Sequence, residues 1–400
     1  MWEQIRSNQI RSVVLTIGMG ALLILIGYFL GLAFDSAIAG LVIAILLWVI
    51  LSLVAYFQGD SILLGMSRAK KIKPDDHPRL YNVVEEMKIA SGLEKIPDIY
   101  IIDDPALNAF ATGRDPNKAS VAITSGLLQK LKRDELQGVI GHEISHIKNR
   151  DVLLMAMCSV LLGTIVLLAY YGSRFLFFGG RTGSRRSSSS GGGGGAVIIV
   201  LVVALVFMIL APLFAQLIYF AISRKREYLA DASSALYTRY PEGLASALEK
   251  LAGSTEQLKS ANQATAPMYI INPFRKKGLK ASDLTSTHPP ISERIRILRA
   301  MAGASFNNYD QAYRQVHGGR GVISAASLTA ETVPITTLKL EGEAGEPNEI
   351  QRVRETSDVM WRLSDYKTIA CDCGAKLRVP PNFRESQIKC PHCGRTHRVQ

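Results

Sequence analysis

Gly138-Val139-Ile140-Gly141-His142-Glu143-Ile144-Ser145-His146-Ile147 carries the pattern H-E-x-x-H. It lies in a run with apolar residues at helical spacing: Leu127, Leu128, Leu131, Leu136, Val139, Ile140, Ile144 and Ile147. Residues four apart share one face of an α-helix. His142 and His146 are therefore placed to grip one metal ion, with Glu143 projecting beside it. Two imidazoles suit zinc, and a carboxylate at that place can act as a base on water. The bland alternative is a pair of surface histidines on an amphipathic helix. Histidine is scarce, 7 of 400 residues, so chance pairing at this spacing is uncommon, and the rest of the chain supports the metal site.

Just past the motif the chain turns strongly apolar. Val152–Tyr171 is uncharged, as are Val13–Phe34, Ser36–Phe57 and Ala196–Ser223. Each run has at least 20 residues, enough to cross a hydrocarbon core of about 30 Å. Buried core helices seldom run so long without a charge, so four transmembrane helices are expected. The first run does not read as a cleavable signal peptide: it is too long, a second follows at once, and no small-x-small site closes it. The motif helix is expected to continue into the third run. His146 would then lie about 9 Å along the helix from Val152, putting the metal just above the bilayer.

Basic residues flank the runs unequally. Arg6, Arg11, Arg68, Lys70, Lys71, Lys73, Lys148, Arg150, Arg224, Lys225 and Arg226 fall on one side if the helices form two hairpins. The other side carries Arg174, Arg181, Arg185 and Arg186, which go against the rule without reversing it. The richer side is expected in the cytoplasm, giving a multi-pass protein of the inner cell membrane with its soluble parts cytoplasmic. The net charge of +12 is largely explained by these flanks and by anionic headgroups; it does not require nucleic acid.

A catalytic zinc needs a third protein ligand and an open position. Arg224-Lys225-Arg226-Glu227-Tyr228-Leu229-Ala230-Asp231 follows the fourth run. If that helix continues, Glu227 stands about 6 Å above the membrane, close to the height of His146. Glu227 is thus the best-placed third ligand, against the alternative of a surface glutamate in a basic cluster. Asp231, one turn on, is placed to hold a ligand histidine by its other ring nitrogen.

The fold class expected is α+β: a multi-pass helical anchor, a mixed α/β zincin-like catalytic domain and a small C-terminal zinc ribbon. Residues 1–57 form a membrane hairpin. Residues 58–302 form the catalytic domain, interrupted by a second hairpin over 152–223 with a flexible Gly/Ser loop at 179–195. Pro78 opens a helix ending near Ser91-Gly92. Ile99–Ile102 and Ala119–Thr124 read as strands, with Asn108–Gly113 a possible third between them. Residues 232–302 read as helices closing over the site, including Ser286-Thr287-His288-Pro289-Pro290 and a helix with Ile291, Ile295, Ile297 and Leu298. Residues 303–365 lose periodicity and read as a linker, apart from a short amphipathic helix over Ile350–Leu363.

Residues 366–400 hold Cys371-x-Cys373 and Cys390-x-x-Cys393 around a strand-like Lys376–Val379. Reduced cytosolic thiols in two pairs fit a structural zinc better than disulfides. Cys158, inside the third run, reads as a small core residue.

With these residues assembled, the chain resembles the HtpX-type membrane zinc metallopeptidases, relatives of the CAAX prenyl endopeptidases, over roughly residues 60–302. The resemblance rests on Asn108-Ala109-Phe110-Ala111, His142-Glu143-x-x-His146, Glu227-Tyr228-x-Ala230-Asp231, and His288-Pro289-Pro290 with Arg294. It implies Glu227 as the third zinc ligand, a cytoplasm-facing catalytic domain, and a role in degrading damaged membrane proteins. The ribbon and the long 303–365 stretch lie outside that pattern.

The reading that follows is zinc-dependent hydrolysis of protein or peptide substrates at the membrane lipid surface. Glu143 is the general base. The Asn108–Ala111 segment, Asn108 and Ala109 foremost, is expected to bind substrate backbone as an added strand. His288, restrained by the prolines after it, is expected to stabilise the oxyanion from the opposite wall, with Arg294 orienting it or touching substrate. Two rival readings are a non-enzymatic scaffold recruiting partners through zinc modules and a nucleic-acid binder working through the ribbon. A scaffold has no use for a base at Glu143, and the ribbon offers only Tyr366 and Phe383 for base stacking.

Overall fold

A computed structural model of the chain describes residues 2–33, 36–157, 224–259, 268–270, 288–325, 328 and 346–399. The chain opens with two long helices, α1 (Trp2–Ala33) and α2 (Ala37–Met66), packed antiparallel. Their approach is close because it is lined by glycine: a Cβ on Gly40 would strike the Gly27 carbonyl. Trp48 Nε1 of α2 donates to the Thr16 carbonyl of α1 at 2.9 Å. Among the described residues, two stretches are long and apolar enough to cross a bilayer, Arg6–Leu25 and Ala37–Met66. At 30 residues α2 is longer than a hydrocarbon core of about 30 Å requires, and Leu63 and Leu64 near its end join the main core. Most of the third apolar run, all of the fourth and the Gly/Ser loop lie outside the described residues.

Four strands form one sheet: β1 (Lys70–Lys71), β2 (Asp98–Ile102), β3 (Ala109–Gly113) and β4 (Ala119–Thr124), in the order β1-β2-β4-β3. β2 and β4 run parallel, with Ile99 opposite Val121. β3 folds back antiparallel on β4, with Ala109 opposite Ile123, and so becomes an edge. α3 (Pro78–Ser91) starts with proline at its first turn and His77 Nδ1 accepting from Leu80 N–H, and it ends on left-handed Gly92. Its Leu80, Val83, Val84 and Met87 enter the core.

The apolar run around the H-E-x-x-H motif is two helices. α4 (Ser125–Lys130) is capped by Thr124, and the chain is extended at Leu131. α5 (Arg133–Lys148) then begins afresh, with Lys132 N–H donating to Glu135 Oε2 at 2.7 Å. α5 does not continue into the membrane run, contrary to the expectation from spacing. Arg150 takes φ 56, a left-handed conformation that no helix interior accommodates. A new helical stretch starts at Asp151.

α6 (Arg224–Thr238), α7 (Pro241–Gly253) and α8 (Ile291–Arg299) complete the layer around α5. Gly138 permits the contact between α5 and α7, since a Cβ there would fall 2.6 Å from Leu244 N. α9 (Phe306–His317) lies inside the stretch read as linker and packs Phe306, Tyr309 and Ala312 into the core. Its apolar positions are diluted by Asn, Gln and Asp, which hides the period. α10 (Glu349–Arg362) docks on α4, with Arg352 Nε donating to Gln129 C=O at 3.2 Å and Lys130 Nζ 3.0 Å from Glu349. Two hairpins follow: β5 (Lys367–Ala370) with β6 (Lys376–Val379), and β7 (Gln387–Lys389) with β8 (Thr396–Arg398). The first is fastened to α10 by Asp358, which accepts from Lys376 Nζ at 2.8 Å and Arg378 Nη2 at 2.7 Å.

Candidate metal centre

α5 and α6 cross where their polar residues meet. His142 and His146 present Nε2 atoms 3.2 Å apart. Glu227 of α6 faces them, with Oε2 3.6 Å from His142 Nε2 and Oε1 3.6 Å from His146 Nε2. One donor atom from each of the three residues lies within 4.8 Å of the others, and all three side chains are buried. Glu227 Oε2 has no hydrogen-bond partner. A buried carboxylate whose two oxygens face two ring nitrogens, one of those oxygens without a hydrogen bond, is costly unless a cation sits between them. Two nitrogens and a carboxylate oxygen match the donor set of a catalytic zinc.

Charge in the site points the same way. Burial disfavours ionised Glu227, but the imidazoles of His288, His142 and His146 outweigh it and hold its carboxyl well below the usual range. Burial alone would push His142 down; the carboxylates of Asp231 and Glu227 instead raise it to about 9. The pocket is built to be filled by positive charge.

Both histidines are held from behind. His142 Nδ1 lies 3.0 Å from Asp231 Oδ1, and His146 Nδ1 lies 2.9 Å from Asp151 Oδ2. A carboxylate at Nδ1 fixes the ring and leaves the Nε2 lone pair for the metal. Asp151 was not singled out in the sequence. It lies five residues past His146, a spacing that no single helix face provides, and only the turn at Arg150 brings it back.

A model of peptidase family M48 matches residues 74–302. The protease HtpX homologue of Dictyoglomus turgidum is 44% identical over 300 residues, 75% of this chain and 94% of that protein. That of Streptococcus mutans is 46% identical over 299 residues, 74% of this chain and 99% of that protein. The chain belongs to peptidase family M48. The crystal structure of S. mikatae Ste24p aligns with TM-score 0.40 at 20% identity, covering 74% of this chain and 67% of that one. The family match stops at residue 302, so α9, α10 and the cysteine hairpins lie beyond it.

Other residues named from the sequence fall around the M48 site. Glu143 is 1% exposed. Burial raises its pKa, while the two histidines and a hydrogen bond from Ala111 N–H pull the other way. His288 is buried with Nε2 3.9 Å from Glu227 Oε2, and burial lowers it to about 4, keeping it neutral. Arg294 is expected from the sequence to orient His288 or to touch substrate. It is fully buried behind the ligands, donating to Asp231 through Nε at 2.8 Å and Nη2 at 2.6 Å, with Nη1 3.7 Å from Glu227 Oε2.

Alternation along β3 decides which backbone groups face outward. Thr124 N–H donates to Asn108 C=O at 3.0 Å, so Asn108 faces β4, and Ala109 and Ala111 face the edge. Ile270 N–H donates to Ala109 C=O at 3.1 Å, occupying one edge position. Ile270 lies in the 232–302 stretch read as helices closing over the site, and its residue type does not mark this strand-edge contact.

Cys371, Cys373, Cys390 and Cys393 also gather their sulfur atoms within 4.8 Å of one another. Cys371 and Cys393 Sγ are 3.4 Å apart, and Cys373 and Cys390 Sγ are 3.7 Å apart. None is disulfide-bonded.

Proposed function

We propose that this M48 peptidase is a membrane-anchored zinc endopeptidase that holds its catalytic ion with His142, His146 and Glu227. The observation that carries the reading is the convergence of those three buried donors, with Glu143 next to His142 on the same helix. When bound, zinc supplies Lewis acidity that polarises the scissile carbonyl and makes water more acidic. Glu143 takes a proton from the attacking water. As the C–N bond breaks, it passes that proton to the leaving amine. A raised pKa suits the first step, because it makes the carboxylate a stronger base towards water. His288, neutral and beside Glu227, is placed to donate a hydrogen bond to the oxyanion. Asp231 and Asp151 orient the two histidines, and Arg294 holds Asp231.

Substrate backbone pairs as an extra strand along β3. The edge-facing carbonyl of Ala111, whose N–H bonds Glu143, supports this. Strand pairing reads backbone rather than side chains, so cleavage is tolerant of sequence. The basic flanks of α1 and α2 support a cytoplasmic catalytic domain, where damaged membrane proteins are the fitting substrates. The four cysteines hold a second, structural zinc, which staples hairpins too small to build an adequate core. The deciding experiment is zinc-dependent cleavage of an unfolded protein by detergent-purified enzyme, with Glu143→Gln as control. Equal cleavage by the control or by chelated enzyme would overturn the reading.

A further inference from the structure

The two carboxylates behind the histidines are secured by different means. Asp231 is clasped by Arg294. Asp151 is reached by Arg226 Nη1 only at 3.6 Å from Oδ1, and that nitrogen makes no hydrogen bond. The close partner of Asp151 Oδ1 is Asn8 of α1, whose Nδ2 donates at 2.5 Å. The same amide nitrogen donates to Asn149 C=O at 3.2 Å. Asn8 and Asp151 are each 1% exposed.

A carboxylate that orients an imidazole must itself be kept from rotating. Asp151 Oδ2 takes the His146 contact, so rotation is resisted at Oδ1, where Asn8 donates a hydrogen bond and Arg226 stands at 3.6 Å. Among the described residues an open groove of about 420 Å³ lies beside the contact, bordered by Val13, Ile17, Tyr56, Leu153 and Met157. The polar tie joins α1 to the stretch starting at Asp151.

We infer that Asn8 is a positioning residue of the metal centre. It fixes Asp151, Asp151 fixes His146, and the first membrane helix is thereby part of the zinc site. The inference rests on the zinc reading above. Metal retention depends on α1 being docked, although α1 precedes the matched peptidase segment. Loss of a group that supports a metal-bound histidine lowers metal affinity about 10–100-fold, and Asn8 acts one bond further out.

The test uses the full-length protein in detergent, loaded with zinc or with cobalt. Zinc release to a chelator and cobalt absorption are measured for Asn8→Ala, Asn8→Asp, Asn8→Gln, Trp48→Phe and His146→Ala. The signal that His146→Ala abolishes defines this site apart from the cysteine site. Asn8→Asp is isosteric but places a carboxylate against Asp151; it is expected to release zinc about 10-fold faster or more and to shift the cobalt absorption. Asn8→Ala should do the same, and Asn8→Gln, which keeps the donor, should recover much of the loss. Trp48→Phe removes a different tie between α1 and α2 and should leave both signals unchanged. Wild-type release and absorption in Asn8→Asp, or an equal effect from Trp48→Phe, would overturn the inference. Wild-type metal content in His146→Ala would instead remove the zinc reading beneath it.

Discussion

Arg294 grips Asp231 with two hydrogen bonds, at 2.8 and 2.6 Å, and neither side chain reaches solvent. Asp231 in turn holds His142 Nδ1 at 3.0 Å. The pair is a buried fork, and its charges are useful only together. Arg294→Ala should destabilise the domain by about 3–5 kcal/mol, because it leaves a buried carboxylate unpaired. Arg294→Lys keeps the charge but loses the planar fork, so it should fold, bind zinc more weakly and show little change in KM. A pure KM effect with full metal content would restore Arg294 as a substrate contact.

Glu143→Gln should retain zinc and lose cleavage. The substitution removes the base and leaves His142, His146 and Glu227 in place. Metal analysis together with turnover separates the two quantities, and a metal-replete Gln variant with full activity would sink the mechanism.

Glu227→Ala should lose the catalytic zinc while the cysteine site stays loaded. The orphaned Oε2 is the motive. Metal per chain should therefore fall by one ion relative to the wild type, and unchanged stoichiometry would demand another ligand.

Much of this site was legible in the sequence because helical spacing carries chemistry directly. His142 and His146 share a face of α5, and Asp231 lies one turn beyond Glu227 on α6. The strands and the Gly92 stop of α3 were equally plain, since apolar runs and αL glycines have few other uses. What stayed hidden depends on breaks and on distant partners. An arginine at positive φ has no sequence signature, so the turn at Arg150, the return of Asp151 and its contact with Asn8 could not be read. The burial of Arg294 was hidden for a related reason: its partner lies 63 positions away.

His77 should make the stability of the fold pH-dependent. Its Nδ1 accepts Leu80 N–H at 3.2 Å, which only an unprotonated nitrogen can do. Burial, then the charge of Arg79, lowers its pKa from 6.5 to about 4. Between those values the unfolded chain binds the proton and the folded chain does not. Stability contributed by neutral His77 is therefore full above about 6.5 and is lost as pH falls towards about 4. The amount is on the order of 3 kcal/mol at most. His77→Asn keeps a capping acceptor without a titrating group. Denaturant unfolding of wild type and variant between pH 7 and about 4 should show a shallower pH slope for Asn; equal slopes would clear His77.

His288 is the residue whose proposed role separates chemistry from binding. It lies 3.9 Å from Glu227, yet His142 and His146 are the nitrogens that close on the Glu227 oxygens. Its depressed pKa, about 4, keeps the ring neutral at ordinary pH, so it donates without titrating. An oxyanion donor acts mainly in the transition state. His288→Ala should therefore lower kcat by roughly 10²–10³, with KM and zinc content little changed. The activity profile of the wild type should show no step from His288 near the ordinary histidine value of about 6.5. Steady-state kinetics with metal analysis on the same preparation distinguishes the outcomes. Release of zinc in His288→Ala would make the residue a support of the ligand set, and a drop in thermal stability alone would make it packing beside Pro289 and Pro290.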